Sequence, residues 1–191
     1  MGKGKRISTK SQAYNNLKVK SAEPVTSFNH DPAKNANSVI LRYGTGNTSD
    51  NAAGKVQGGH LYYLNYTTGI WTKTAYDTEA EAGAGQLLGI ALGKFPVYTG
   101  TPEEVGMLLR GVTTTAVLGA ANAGRPLYGA LDGGGAVPGR LGVTAPSSVN
   151  NVVQKLGHSL GWQYATYQGS IYAETIVLFT PDLSYTIVPT P

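Results

Sequence analysis

The sequence predicts an all-β protein: a small β-barrel or sandwich built from an internally duplicated β-unit, with an extended N-terminal arm. Three observations carry this reading. The first is composition. The 191 residues include 26 Gly, 12 Tyr and 10 Pro, and only 14% are charged, against about 7% Gly and about 25% charged in ordinary domains. Many Gly, Thr, Asn and Tyr with few Glu, Lys and Arg disfavour helices and suit short strands joined by tight turns. The second is a tandem repeat of three words in fixed order. Ile40-Leu41-Arg42, Leu61-Tyr62 and Leu88-Gly-Ile-Ala-Leu-Gly93 return as Leu108-Leu109-Arg110, Leu127-Tyr128 and Leu156-Gly-His-Ser-Leu-Gly161. Leu61 to Leu127 is an offset of 66 and Leu88 to Leu156 an offset of 68, and each copy has a Gly between the last two words, Gly69 and Gly135. One β-unit used twice explains three words in register. The third is alternation over residues 70–76, where Ile70, Thr72, Thr74 and Tyr76 point one way and Trp71, Lys73 and Ala75 the other.

Residues 1–37 precede the first strand signal and form the arm. Pro24 and Pro32 bar a continuous helix, and isolated apolar residues build no core. Residues 1–22 hold Lys3, Lys5, Arg6, Lys10, Lys18 and Lys20 and no acid, a charge of +6. The rest of the chain has nine basic and eleven acidic residues, a net −2, so the formal +4 belongs to the arm. Two readings stand: a solvated tail, or an arm that orders on a partner. In the second, Lys3, Lys5, Arg6, Lys10, Lys18 and Lys20 tether it electrostatically, while Tyr14, Leu17 and Val19 anchor it. The arm has no base-stacking set beyond Tyr14, so an acidic protein surface is the expected partner rather than nucleic acid.

The β-domain is expected over 38–191, with copies of the unit at about 38–93 and 105–161 and closing strands over 171–188. Residues 38–43 form a short apolar run that ends at Gly44-Thr45-Gly46. His60–Tyr66 and Ile70–Tyr76 form a hairpin around Thr67-Thr68-Gly69. Thr78-Glu79-Ala80-Glu81-Ala82 reads as one helical turn, capped by Thr78 and stopped by Gly83-Ala84-Gly85. Gln86–Leu92 is a strand, and Thr99-Gly100-Thr101-Pro102 bounds a loop. The second copy opens at Val105–Val112 and ends at Val152–Leu160, with its hairpin distorted by Asp132-Gly133-Gly134-Gly135. Ile171–Phe179 and Ser184–Val188 come last, joined by a Pro181-Asp182 turn. The total is nine or ten short strands and no long helix.

The chain is long enough to bury roughly 70% of its unfolded surface and needs no covalent staple. Lacking Cys, it has no disulfide and no thiolate-bound metal. No apolar run approaches the roughly 20 residues of a membrane span, and the basic start lacks the apolar stretch of a secretory signal. Neither segment is expected.

Candidate chemistry is sparse. Gly157-His158-Ser159-Leu160-Gly161 matches G-x-S-x-G, but a nucleophile elbow needs a helix after the serine and a His downstream. Residues 162–169 make a poor helix, and His30, His60 and His158 all precede Ser159. The first copy has Ala91 where the second has Ser159, so the recurring glycines look structural. The histidines form no metal-binding spacing. Glu79/Glu81 and Glu103/Glu104 lie in expected loops, and nothing singles out a catalytic pair. Asn47-Thr48-Ser49 and Asn65-Tyr66-Thr67 fit the glycosylation pattern but lack a secretory context. Trp71, Trp162 and the tyrosines read as core or interface residues before sugar platforms. No catalytic residue, metal or cofactor is expected, and the protein is not expected to be an enzyme.

The second half resembles a module of tailed-bacteriophage structural proteins. The likeness lies in Val105-Gly-Met-Leu-Leu-Arg-Gly111, Ala123-Gly-Arg-Pro-Leu-Tyr128 and Val143-Thr-Ala-Pro-Ser-Ser148. It continues through Val152-Val-Gln-Lys-Leu-Gly-His-Ser-Leu160 and Thr175-Ile-Val-Leu-Phe-Thr-Pro-Asp182. It covers 105–182 well, 38–93 weakly and the arm not at all. Trp162–Gly169 departs from the pattern, where a shorter connection is expected. Such modules occur in capsid decoration (cement) proteins, head fibres and tail fibres. The resemblance implies a virion protein on the outer surface of the capsid that binds the major capsid protein as a homo-oligomer, for instance a trimer. A tail or fibre-adaptor protein is the alternative, then a receptor- or carbohydrate-binding module.

Overall fold

The computed structural model describes residues 39–41, 53–93, 97–115, 117–119, 121–131, 138–167 and 170–190. Its strands in chain order begin with β1 (Val39–Leu41), β2 (Val56–Gln57), β3 (Leu61–Leu64), β4 (Trp71–Lys73), β5 (Leu87–Ala91) and β6 (Tyr98–Gly100). They continue with β7 (Met107–Thr115), β8 (Val117–Leu118), β9 (Pro126–Gly129), β10 (Leu141–Gly142) and β11 (Val152–Val153). The last three are β12 (Lys155–Tyr167), β13 (Ser170–Phe179) and β14 (Thr186–Ile187). Two single-turn helices, α1 (Glu79–Ala82) and α2 (Pro102–Val105), complete the described elements. The protein is all-β, as its composition predicts.

Ten strands form one sheet, in the order β4-β3-β5-β7-β13-β12-β9-β10-β8, with β1 also paired to β7. Eight successive strands, β4 through β10, are antiparallel, and β8 joins β10 in parallel. The order repeats itself. In the first half β3 and β4 pair, β5 lies on the far side of β3, and β7 lies beside β5. In the second, β9 and β10 pair, β12 lies on the far side of β9, and β13 lies beside β12. Each half therefore runs 2-1-3-4, and the two fourth strands pair along Gly111–Thr115 and Thr175–Phe179. Two of the three repeated words lie on corresponding strands: Leu61-Tyr62 and Leu127-Tyr128 in the first strands, and Leu88 and Leu156 in the third. The first word does not correspond, because Leu108-Leu109-Arg110 lies in β7, the fourth strand of the first half, while Ile40-Leu41 lies beside it in β1. Registers differ: Leu61 faces Ile90 but Leu127 faces Gly157, one step away, and across a bulge at Lys155–Gly157 Tyr128 faces Lys155, two steps from the Tyr62–Gly89 pairing. The two copies of the first word meet each other, Ile40 opposite Leu108.

Local chemistry explains the elements. The β3–β4 turn spans 65–69, wider than the expected Thr67–Gly69. Asn65 accepts the Thr67 and Thr68 N–H groups at 2.9 and 3.2 Å through Oδ1. Gly69 closes the turn at φ +69. α1 matches expectation: Thr78 Oγ1 accepts the Glu81 N–H, and Gly83 ends the turn in the left-handed region. α2 corrects the expected loop after Thr99, so Glu103 and Glu104 are helical, as are Glu79 and Glu81. The Thr101 N–H donates to Glu104 Oε2 at 2.8 Å, and Pro102 supplies a preset φ. β14 pairs with β11 rather than with the preceding strand β13. The Asp132–Gly135 distortion lies outside the described residues.

The sheet curls into a half-barrel. Its two ends are laced by single backbone bonds instead of a ladder. Gly139 N–H donates to Thr74 O and Leu61 N–H to Gly139 O, at 2.7 and 2.6 Å. Tyr76 N–H donates to Ala130 O and Val152 N–H to Tyr76 O. The larger core lies between the halves: Leu61, Tyr76, Leu88, Ile90 and Leu108 pack with Leu127, Leu141, Leu156, Val177 and Phe179. Burying each Leu contributes roughly 1.5–3 kcal/mol. The opposite face of the first half carries a smaller core of Val56, Tyr62, Trp71, Ala91 and Met107. Both faces of this half thus carry core residues, and β3 and β5 are buried at all but one position each.

Candidate partner-binding face

The longest described strands, β12 and β13, pair from Gly157–Phe179 to Tyr167–Ser170. Among the described residues, neighbouring strands hold only part of this hairpin. β9 pairs with residues 155–158 of β12, and β7 with residues 175–179 of β13. Past Trp162 and Thr175 the hairpin projects as a two-stranded ribbon.

Ser159 sets where the projection starts. A register shift falls between Ser159 and Gly161, and Gly161 adopts φ +122. Ser159 is fully buried, and its hydroxyl donates to Ala121 O at 2.7 Å and accepts the Gly161 N–H at 3.1 Å. Its backbone also bonds Gly124 and Arg125. The hydroxyl therefore pins a bulge, a device that bends and twists a strand. Beyond Ser159 the chain continues as strand, where a nucleophile elbow requires a helix. Gly157 has an equally structural role: at φ +147, a Cβ would stand 2.0 Å from Leu178 O.

Beyond the bulge the side chains sort by face. Trp162 and Tyr164 lie across from Thr175 and Ala173, and Ile171 continues the same row. Trp162, Tyr164 and Ile171 are 56%, 69% and 71% exposed. The Trp162 and Tyr164 rings meet edge to face, 4.9 Å apart. Leu160, at the bulge, is also exposed. The opposite face pairs Gln163 with Glu174. Exposed aromatic rings in such a row offer a large apolar contact area.

The arm residues Lys3, Lys5, Arg6, Lys10, Tyr14, Leu17, Lys18, Val19 and Lys20 lie outside the described residues, as does His30. His60 is buried and His158 half-buried. Among the described residues no group of three His, Asp or Glu could hold a metal ion, and no helix is long and apolar enough to cross a membrane. The two tryptophans divide: Trp71 is core and Trp162 is surface. Sequence reasoning missed the ribbon, expecting a short connection over Trp162–Gly169. The period-2 row Leu160-x-Trp162-x-Tyr164 was the available signal. No known protein family, curated protein or solved structure matches this chain.

Proposed function

We propose that the protein is a structural component of a bacteriophage particle, a decoration protein that covers and stabilises the outside of the capsid. The resemblance of residues 105–182 to phage structural modules suggests the setting. The observation that carries the reading is the projecting ribbon with its Trp162–Tyr164–Ile171 row, a contact surface built out from a β-body. The basic arm adds a second attachment by tethering to acidic capsid surface or by strand addition. Two modest contacts on one chain, repeated at lattice spacing, hold a shell by multivalency. The major capsid protein is the proposed partner, and self-association as a trimer is consistent with a symmetric shell.

Two purified variants test this against expanded capsids in a sedimentation assay. Deletion of residues 1–37, or the pair Trp162→Ser and Tyr164→Ser, should each lower capsid occupancy at least tenfold. Wild-type occupancy comparable to the coat protein supports decoration. A few copies per particle supports the tail or fibre-adaptor reading, which the same ribbon would serve. Undiminished binding by both variants refutes the proposed attachment.

A further inference from the structure

We infer that the groove between the β3–β4 turn and α1 is a binding site for neutral saccharides. This inference is independent of the particle reading and uses a different part of the molecule. The groove has a volume of about 640 Å³, within the usual range of small-ligand sites. Tyr63 contributes to its lining, and this ring packs so closely on Gly83 that an added Cβ would fall 2.2 Å from it. Tyr66, at the turn, is 85% exposed beside the groove. Asn65, Gln86, Glu79 and Thr78 supply polar groups around these rings.

Those groups are held in place by the fold. Gln86 Oε1 accepts the Tyr66 N–H at 3.1 Å, which leaves the amide's two N–H donors for a ligand. Asn65 Oδ1 takes two turn N–H groups and likewise leaves its amide donors. The Tyr185 hydroxyl donates to Glu79 Oε1, leaving Glu79 Oε2 as an acceptor. Sugars present an apolar face of C–H groups and a rim of paired hydroxyls. An exposed tyrosine matches the first, and oriented planar amide and carboxylate groups match the second. Preorganised groups lose little freedom on binding. Charge narrows the ligand further. Among the described residues no Lys, Arg or His lines the groove, and Glu79 is its only charged group. Phosphate, sulfate and sialylated ligands would meet a carboxylate with no compensating cation.

The test uses the full chain with maltotetraose, cellotetraose and tetra-N-acetylchitotetraose as probes, monitored by tyrosine fluorescence and NMR titration up to millimolar concentration. At least one probe should bind, with Tyr66→Ala weakening it tenfold or more and Tyr66→Trp retaining it. Melting temperatures should stay unchanged, since Tyr66 is exposed. Trp162→Ser should bind as wild type. No binding of any probe overturns the inference. So does binding that survives Tyr66→Ala but is lost in Trp162→Ser, because that places the sugar on the ribbon.

Discussion

At the scale of single residues, the glycines and Ser159 show how a catalytic pattern can arise from structural needs. Gly157 sits where its neighbour strand leaves no room for a Cβ, and Gly161 takes the positive φ of a bulge that Ser159 fastens. The G-x-S-x-G spacing thus encodes a bend in a strand. Gly157→Ala should destabilise the protein by about 3 kcal/mol or more, through backbone displacement at Leu178. A denaturant titration measures this; a loss below about 1 kcal/mol would show that the strand yields easily. Elsewhere a single buried phenol ties distant segments. Tyr76 donates to Gln154 Oε1 at 3.0 Å, and burial pushes its ionisation far above the ordinary tyrosine range. It therefore stays neutral at physiological pH. Its ring also fills the space a side chain at Gly129 would need.

Elements were legible where local chemistry alone decides them. The α1 turn follows from Thr78, Glu81 and Gly83, and the β3–β4 hairpin from alternation flanking a polar turn. Both were readable because cap and turn residues act within a few positions. The α2 turn was hidden, since its Thr101-x-x-Glu104 box stands among Gly and Pro residues that signal loop. The ribbon was hidden for another reason. Trp162, Tyr164 and Ile171 are exposed and join no core, so only the alternation Leu160-x-Trp162-x-Tyr164 distinguished the segment from a connection. The pairing of β14 with β11 was not readable at all, because a two-residue contact between distant segments leaves no periodic trace. Exposure makes a clear prediction for the ribbon. Trp162→Ser with Tyr164→Ser should change folding stability by no more than about 1 kcal/mol, as surface positions do. Thermal melts would show it, and a larger loss would mean that the row packs within its own fold.

At the scale of the whole molecule a strand order occurs twice, over 61–115 and 126–179 and thus out of phase with the expected copies at 38–93 and 105–161, and the halves are not separate bodies. Two of the three words fall on matching strands, in β3 and β9 and in β5 and β12. They do not reveal that β7, which carries the first word of the second copy, also completes the first half. Nor do they reveal that Leu61, Leu88 and Leu108 share one core with Leu127, Leu156 and Phe179. Each half alone would expose that shared interior. Fragments 1–120 and 121–191, divided in the β8–β9 connection, should each lack a cooperative thermal transition. Mixing them should restore one. A sharp melt from either fragment alone would show that the units are autonomous.

The place of β1 has a mechanical consequence. The chain leaves the arm and enters the sheet against β7, with Val39 opposite Arg110 and β13 taking over from Gly111. A tug on the arm directed along β1 would load its bonds to β7 in shear. From β7 the load would spread sideways into β5 and β13, at the centre of the fabric. An anchor sewn to a hem would peel; this one is stitched through the middle of the cloth.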